Sequence, residues 1–315
     1  MKKIIKGFLA LALSSFFALG AAACSGDVVK EGSKIQKCSI TLSYTDDGEV
    51  KDRTLGFELY LNFAPATIEH FKYLAENGYF NGSAVSSVSS YLEFGAFELK
   101  DGVYTSIDDK YSSLVTAEYA KDKTIGKNGT PRYTDLFNIV GEFEANGFGG
   151  NKLTLSSGAL VVKRDYSKDA NNTYYDTGRG TMAVVFGSGS YFNVASKYAI
   201  IGKIVSDDAT DDEESSLNFA KTLMSDYSSD DNGNTYYYFG YNSDDEELNR
   251  KIENYGRQYM KDDDGVYYRL DGNGKYTIEL DAKDDDDLID AFSDNSVYMQ
   301  VLPYGAITIK SVTFE

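Results

Sequence analysis

Apolar and polar residues alternate through "CSITLSY" and again through "RTLGFELYL", with "DDGE" between them. A period of two on both sides of a short Asp/Gly turn predicts an antiparallel hairpin. In "PATIEHFKYLAENG" the period lengthens, so that Ile68, Phe71, Leu74 and Ala75 share one face. Pro65 suits a first helical turn and Gly78 a C-terminal cap, which predicts a helix. The next strand carries five serines, Ser83, Ser86, Ser87, Ser89 and Ser90, ahead of "YLEF". Residues 98–135 show no strong period and read as an inserted excursion. Dense β-branched runs in "SSGALVVKR", "GTMAVVFG" and "KYAIIGKIV" predict strands buried on both faces. "EESSLNFAKTLMSD" then fits a helix with Leu217, Ala220, Leu223 and Met224 inward.

From 228 to 300 the composition becomes acidic and Tyr-rich, with "SSDDNGN", "DDDG", "DGNG" and "KDDDD" as turns. Leu248, Ile252, Tyr255 and Tyr259 have the spacing of a helical stripe, supported by Glu246/Arg250 and Glu247/Lys251 pairs. The final "AITIKSVTF" alternates and predicts a closing strand.

The first 23 residues have a Lys-rich start, a short apolar run and small residues, the order of a secretory signal peptide. They end "AAAC", which resembles the lipobox of bacterial lipoproteins, although Ala21 stands where leucine is usual. Lipidation at Cys24 and a polar tether over residues 24–34 are therefore expected, with the protein on the outer face of a bacterial cell membrane. A formal net charge of -18 argues against a nucleic-acid partner. Beyond Cys24 there is only Cys38, so an internal disulfide is not expected and stability must come from a packed core. The chain is long enough, at 42% hydrophobic residues, to build one.

Taken in order, these segments resemble the cyclophilin family of peptidyl-prolyl isomerases. "DGEVKDRTLGFELYLNFAPATIEHFKYLAENGYFNGS" is similar to the family's opening hairpin, first helix and following turn, and "GEFEANGF" is similar to the bacterial stretch before the central strands. "SSGALVVKR" and "KYAIIGKIV" are similar to two central strands. The resemblance implies a mostly β fold: a closed eight-stranded antiparallel barrel capped by two helices. The barrel would be formed by residues 35–227 and 301–315, interrupted by 98–135 and by a smaller inserted α+β unit at 228–300.

The resemblance also assigns the places where the family works. The catalytic arginine, a rigid fork of donors toward the proline nitrogen, falls on Ser87, whose hydroxyl is too short for that reach. The family's first glutamine falls near Phe94, with a possible slip of one residue in "SSYLEFGAF". Its second glutamine and pocket phenylalanine fall on Ala183 and Val185. The pocket tryptophan falls on Asn193 or Phe192, its histidine on Tyr198 and its alanine on Lys163. Arg164 agrees with bacterial members but belongs to the rim of the groove. The site is thus expected to be degenerate.

Other chemistry is thin. His70, the only histidine, is expected on the outer or boundary face of its helix, and no nucleophile elbow accompanies it. Zinc would need His/Cys clusters that are not there. The Asp runs could hold calcium but read more simply as solvated turns. "GFGGN" and "TGRG" lack the strand-to-helix context of a phosphate loop. The sequence therefore points to an exported, lipid-anchored cyclophilin-like protein without cofactors that binds a peptide or unfolded protein. Two alternatives stand beside it: an active isomerase assisting secreted proteins, and an envelope interaction protein that works through the 228–300 block.

Overall fold

The computed structural model describes residues 34–88, 91–120, 139–140, 142, 155–168, 174–186, 199–205, 214–241, 258–271, 273, 275–280 and 297–315. The expected signal peptide, Cys24 and the tether lie outside these residues.

The opening hairpin joins β1 (Ile35–Asp46) to β2 (Glu49–Tyr60), in register from Ile35/Tyr60 to Asp46/Glu49. Asp47 and Gly48 have φ of 51° and 77°, so both central residues of this two-residue turn are left-handed. That geometry matches the right-handed twist of the strands and explains the Asp-Gly choice. Helix α1 (Pro65–Glu76) follows, and Ile68, Phe71, Leu74 and Ala75 are all buried, as their spacing predicts.

Next come β3 (Ser83–Ala84), β4 (Tyr91–Phe94), β5 (Phe97–Lys100) and β6 (Val103–Ser106), then α2 (Asp108–Leu114) and α3 (Ala117–Ala120). The stretch read as a featureless excursion from 98 thus begins as a regular hairpin and two short helices. Its elements are only four to seven residues long, too short to display a period. The chain continues with β7 (Ile139–Val140), β8 (Ala159–Lys168), β9 (Tyr174–Val185), β10 (Ala199–Ile204) and α4 (Ser216–Asp226). Helix α4 is capped by Ser215, whose hydroxyl accepts from the Asn218 N–H at 3.3 Å.

These strands and the last, β16 (Ile307–Phe314), form one antiparallel sheet of eleven. Its order is β4-β9-β8-β10-β2-β1-β16-β3-β5-β6, with β7 beside β9. The sequence predicts a closed ring of eight; the ladder is an open path. The β5–β6 hairpin accounts for much of the difference, because it adds two strands beyond β3. Along β8, β9 and β10 alternate residues face opposite ways. Leu160, Val162, Met182, Val184 and Ile201 join the main core with Cys38, Phe57, Phe71 and Ile309, whereas Val161, Ala183, Val185 and Ile200 form a second cluster on the other face. Burial on both faces is why these strands read as continuous apolar runs.

A second sheet of five strands has the order β14-β13-β12-β11-β15. It comprises β11 (Thr235–Tyr241), β12 (Gln258–Lys261), β13 (Tyr267–Leu270), β14 (Tyr276–Glu279) and β15 (Val297–Leu302). Tyr259, assigned to a helical stripe from its spacing, lies on β12 and is fully buried. Leu248, Ile252 and Tyr255 lie outside the described residues.

The two sheets meet through side chains and backbone. The Tyr238 ring packs on Phe97 with centroids 4.7 Å apart, and the Val88 N–H donates to the Val301 carbonyl at 2.9 Å. At the base of the second sheet the Tyr304 N–H donates to the Tyr227 carbonyl at 2.7 Å.

Candidate functional site

The serine strand runs between β16 and β4. Val85 N–H donates to the Ile307 carbonyl at 2.8 Å on one side; on the other, Ser86 N–H donates to the Glu93 carbonyl at 2.8 Å and Glu93 N–H to the Ser87 carbonyl at 3.2 Å. Two residues of one strand thus oppose one of the other. Val85 and Val88 point into the main core. Ser86 and Ser87 are both 0% exposed, and Glu93 is 1% exposed. The Ser86 hydroxyl donates to Glu93 Oε1 at 3.1 Å.

Phe94, expected at the family's glutamine place, faces the other way. It lies in the main core against Phe80, with ring centroids 5.8 Å apart. Glu93 is the residue that meets the serine strand. Neighbouring residues of a strand face opposite ways, so a shift of one residue would exchange Phe94 and Glu93.

From Glu93 the outer face continues across the sheet. Glu93 pairs with Ala183, Tyr91 with Val185, and Val161 with Ala183. Ala183 and Val185 cluster with Tyr60, Ala159, Val161 and Ile200, and Phe63, Tyr91 and Leu155 pack against them. Tyr60 and Phe63 meet edge to face at 6.4 Å. This outer face is therefore apolar and closely packed. Burial, reinforced by Glu58, pushes the Tyr60 phenol on this face up to about 12. In the main core, burial likewise pushes the Cys38 thiol up to about 12, so little reactive thiolate forms near neutral pH. Lys163 and Arg164 lie on β8 at a register irregularity, and their side chains fall outside the described residues. Phe192, Asn193 and Tyr198 also lie outside them.

The structure brings forward two residues that sequence reading placed poorly or passed over. His70 is buried, 2% exposed, rather than on the helix surface. Its Nε2 lies 3.1 Å from the Tyr111 hydroxyl and its Nδ1 2.9 Å from the Tyr119 hydroxyl, so it ties α1 to α2 and α3. Burial pushes the Tyr119 phenol upward. Glu142, in "GEFEANGF", accepts from the Thr67 N–H at 2.8 Å and the Ala66 N–H at 3.2 Å. Ala64 precedes α1 without a capping side chain, and Glu142 fills that role from a distance. Burial nevertheless dominates and raises the Glu142 carboxyl above its ordinary value. Nothing in the sequence singles it out, since Glu144 stands two residues away in the same motif.

In the second sheet three aspartates repeat one arrangement. Asp230, Asp262 and Asp271 each accept the backbone N–H four residues on, and each receives the hydroxyl six residues on, from Tyr236, Tyr268 and Thr277. Burial pushes Asp230 up, but hydrogen bonds from Asn234, Tyr236 and Asn232 outweigh it and hold the carboxyl below its ordinary value. Donors from Lys275, Asn273 and Thr277 likewise lower Asp271. Among the described residues no three His, Cys, Asp or Glu side chains come together as a metal site.

Solved cyclophilins resemble the chain in structure. The Mimivirus cyclophilin is 16% identical, with a TM-score of 0.35, over 63% of this chain and 83% of its own. A Cryptosporidium parvum cyclophilin-type peptidyl-prolyl cis-trans isomerase, solved in the presence of the dipeptide Ala-Pro, is 15% identical with a TM-score of 0.33, over 63% and 90%. Another structure of that isomerase gives 14%, 0.31, 64% and 90%. No family model matches the sequence, and no curated protein matches it.

Proposed function

We propose that the chain is an exported, lipid-anchored cyclophilin-like protein whose isomerase site has been lost and which serves as a peptide- or protein-binding module. In this reading β1, β2, the Ser83–Val88 strand, β4, β8, β9, β10 and β16 form a ring of eight, completed where Glu93 bonds Ser86 and Ser87. The β5–β6 hairpin and the five-stranded sheet are additions to that ring.

The observation that carries the loss of catalysis is the outer face itself. Ser87, Ala183 and Val185 stand where donors and a proline floor are needed, all three are nearly unexposed, and a carboxylate, Glu93, faces the serines. A developing twisted amide is stabilised by a donor positioned toward its nitrogen, and a carboxylate beside the serines offers no equivalent. Family membership would not by itself restore the activity. The test is isomerisation of Ala-Pro and Gly-Pro peptides with and without micromolar protein, beside a peptide-binding titration. Background rates with measurable binding support the reading. Acceleration that scales with protein and disappears in Arg164→Ala or Tyr198→Ala overturns it in favour of an active isomerase.

A second reading, in which the 228–300 block does the recognition at the cell envelope, is favoured by the aromatic and acidic face of the five-stranded sheet.

A further inference from the structure

Directly paired residues on antiparallel strands share a face. In the second sheet Glu279 pairs with Tyr268, Tyr268 with Met260, Met260 with Tyr236, and Tyr236 with Leu302. The Tyr304 ring stacks over Tyr236 at 6.1 Å and an interplanar angle of 21°, and the Tyr276 ring meets Tyr236 at 5.3 Å. Tyr304 is 43% exposed, and Tyr236, Met260, Tyr268 and Tyr276 are half-buried, so these rings reach the surface.

Carboxylates gather at the same end. The Asp230 and Asp262 turns lie side by side, since a Cβ on Gly233 would come within 3.3 Å of the Asp263 side chain. Asp231, Asp263, Asp264 and Glu279 are exposed around them. The basic residues of these strands sit on the opposite face. Lys261 pairs with Tyr267 and Arg269 with Tyr259, and Lys261 Nζ lies 5.4 Å from the Tyr267 ring centre. Lys275 is in the turn at the far end of β13. Residues 228–300 hold nineteen carboxylates against seven basic residues, so strand alternation has sorted an already acidic segment into a face with no described cation on its rings.

We infer that this face binds a cationic polypeptide segment rich in lysine or arginine. Electron-rich tyrosine faces attract ammonium and guanidinium groups, and the surrounding carboxylates add long-range attraction. A polypeptide suits it better than a metal ion, because Asp230 and Asp262 already accept from Asn234, Val266 and the two tyrosines. It also suits the size of the strip. Five strands about 4.8 Å apart span about 19 Å, the length of about six extended residues. The inference deepens the second reading above and is independent of what the barrel does.

The experiment titrates the full chain, in neutral detergent, with decalysine, with decaglutamate and with choline chloride. Decalysine binding is expected, weakening steeply as salt rises toward about 0.15 M. The variant Asp263→Lys with Asp264→Lys and Glu279→Lys changes only exposed side chains and should weaken binding about tenfold or more. Tyr236→Ala with Tyr304→Ala should weaken it comparably. Glu76→Lys, on α1, should leave it unchanged. Equal binding of decaglutamate, choline binding that competes decalysine away, or unchanged affinity in the charge-reversed variant overturns the inference. Loss of decalysine binding in the charge-reversed variant with peptide binding to the barrel intact separates it from the barrel reading.

Discussion

The Glu142 carboxylate accepts the Thr67 backbone N–H at 2.8 Å, holding the start of α1 from a segment more than seventy residues away in the chain. Replacing Glu142 by Ala should cost about 1 to 2 kcal/mol, as loss of a helix cap does. The pH dependence has a definite sign. The folded-state value is raised, so the stabilising contribution of Glu142 is full below the ordinary glutamate value and falls as pH rises through the raised one. Glu142→Gln should therefore compare worst with wild type near pH 4 and improve relative to it toward neutrality. Denaturant titrations of both proteins at several pH values check this; a gap that widens with pH contradicts it.

His70 holds two tyrosine hydroxyls from different helices. His70→Phe keeps the bulk but leaves Tyr111 and Tyr119 without its ring nitrogens, at about 1 to 3 kcal/mol for each buried hydroxyl that finds no substitute. Hydrogen exchange should speed up first in α2 and α3, with β1, β2 and β16 protected. Uniform acceleration across the sheet would mean that His70 supports the whole fold.

On the proposed reading, an arginine placed at Ser87 should not confer isomerase activity. Ser87 is 0% exposed, so Ser87→Arg forces a long charged side chain into packed space. We expect a loss of 3 kcal/mol or more, about the cost of gross overpacking, and isomerisation at background. A stable variant that turns over Ala-Pro peptides would show that an open groove exists at this face.

Cys24 should carry lipid. Labelled fatty acid should enter the wild type and not Cys24→Ser, which should be released to the medium. Equal labelling of the two proteins removes the anchor.

Replacing residues 228–300 by a short Gly/Ser linker should leave a cooperative transition at lower stability, because Phe97 loses the Tyr238 ring. Truncation before β16 should abolish folding, since β16 pairs with both β1 and β3. Circular dichroism melts of the two variants decide it; a folded truncation beside an unfolded linker variant reverses the proposed division.

What was legible in the sequence was what local pattern determines. The Asp-Gly turn set the β1–β2 register, and the face of Ile68, Phe71, Leu74 and Ala75 set how α1 packs. The continuous runs of β8, β9 and β10 gave strands buried on both sides. What pattern could not carry were contacts made across distance by polar groups. His70 looked like a surface residue because its partners come from helices too short to announce themselves. Glu142 gives no sign of its role in sequence, because a carboxylate that caps a remote helix leaves no mark on its own neighbours. In "SSYLEFGAF" alternation alone leaves the phase open, and it is tertiary packing that turns Phe94 into the core and Glu93 toward the serine strand.

The Tyr227–Tyr304 backbone contact bears on the order in which the chain folds. Strand β16 must return from the end of the polypeptide to pair with β1 near its start. With residues 228–303 unstructured, the segment between α4 and β16 is a long loop, and its closure is disfavoured by about 2 to 3 kcal/mol more than that of a tight turn. Once the five-stranded sheet has formed, its ends lie a hydrogen bond apart and the long loop has become a short one. The second sheet is therefore expected to act as a folding clamp: mutations that weaken it should slow docking of β16, although none of its residues lies in the sheet that β16 completes.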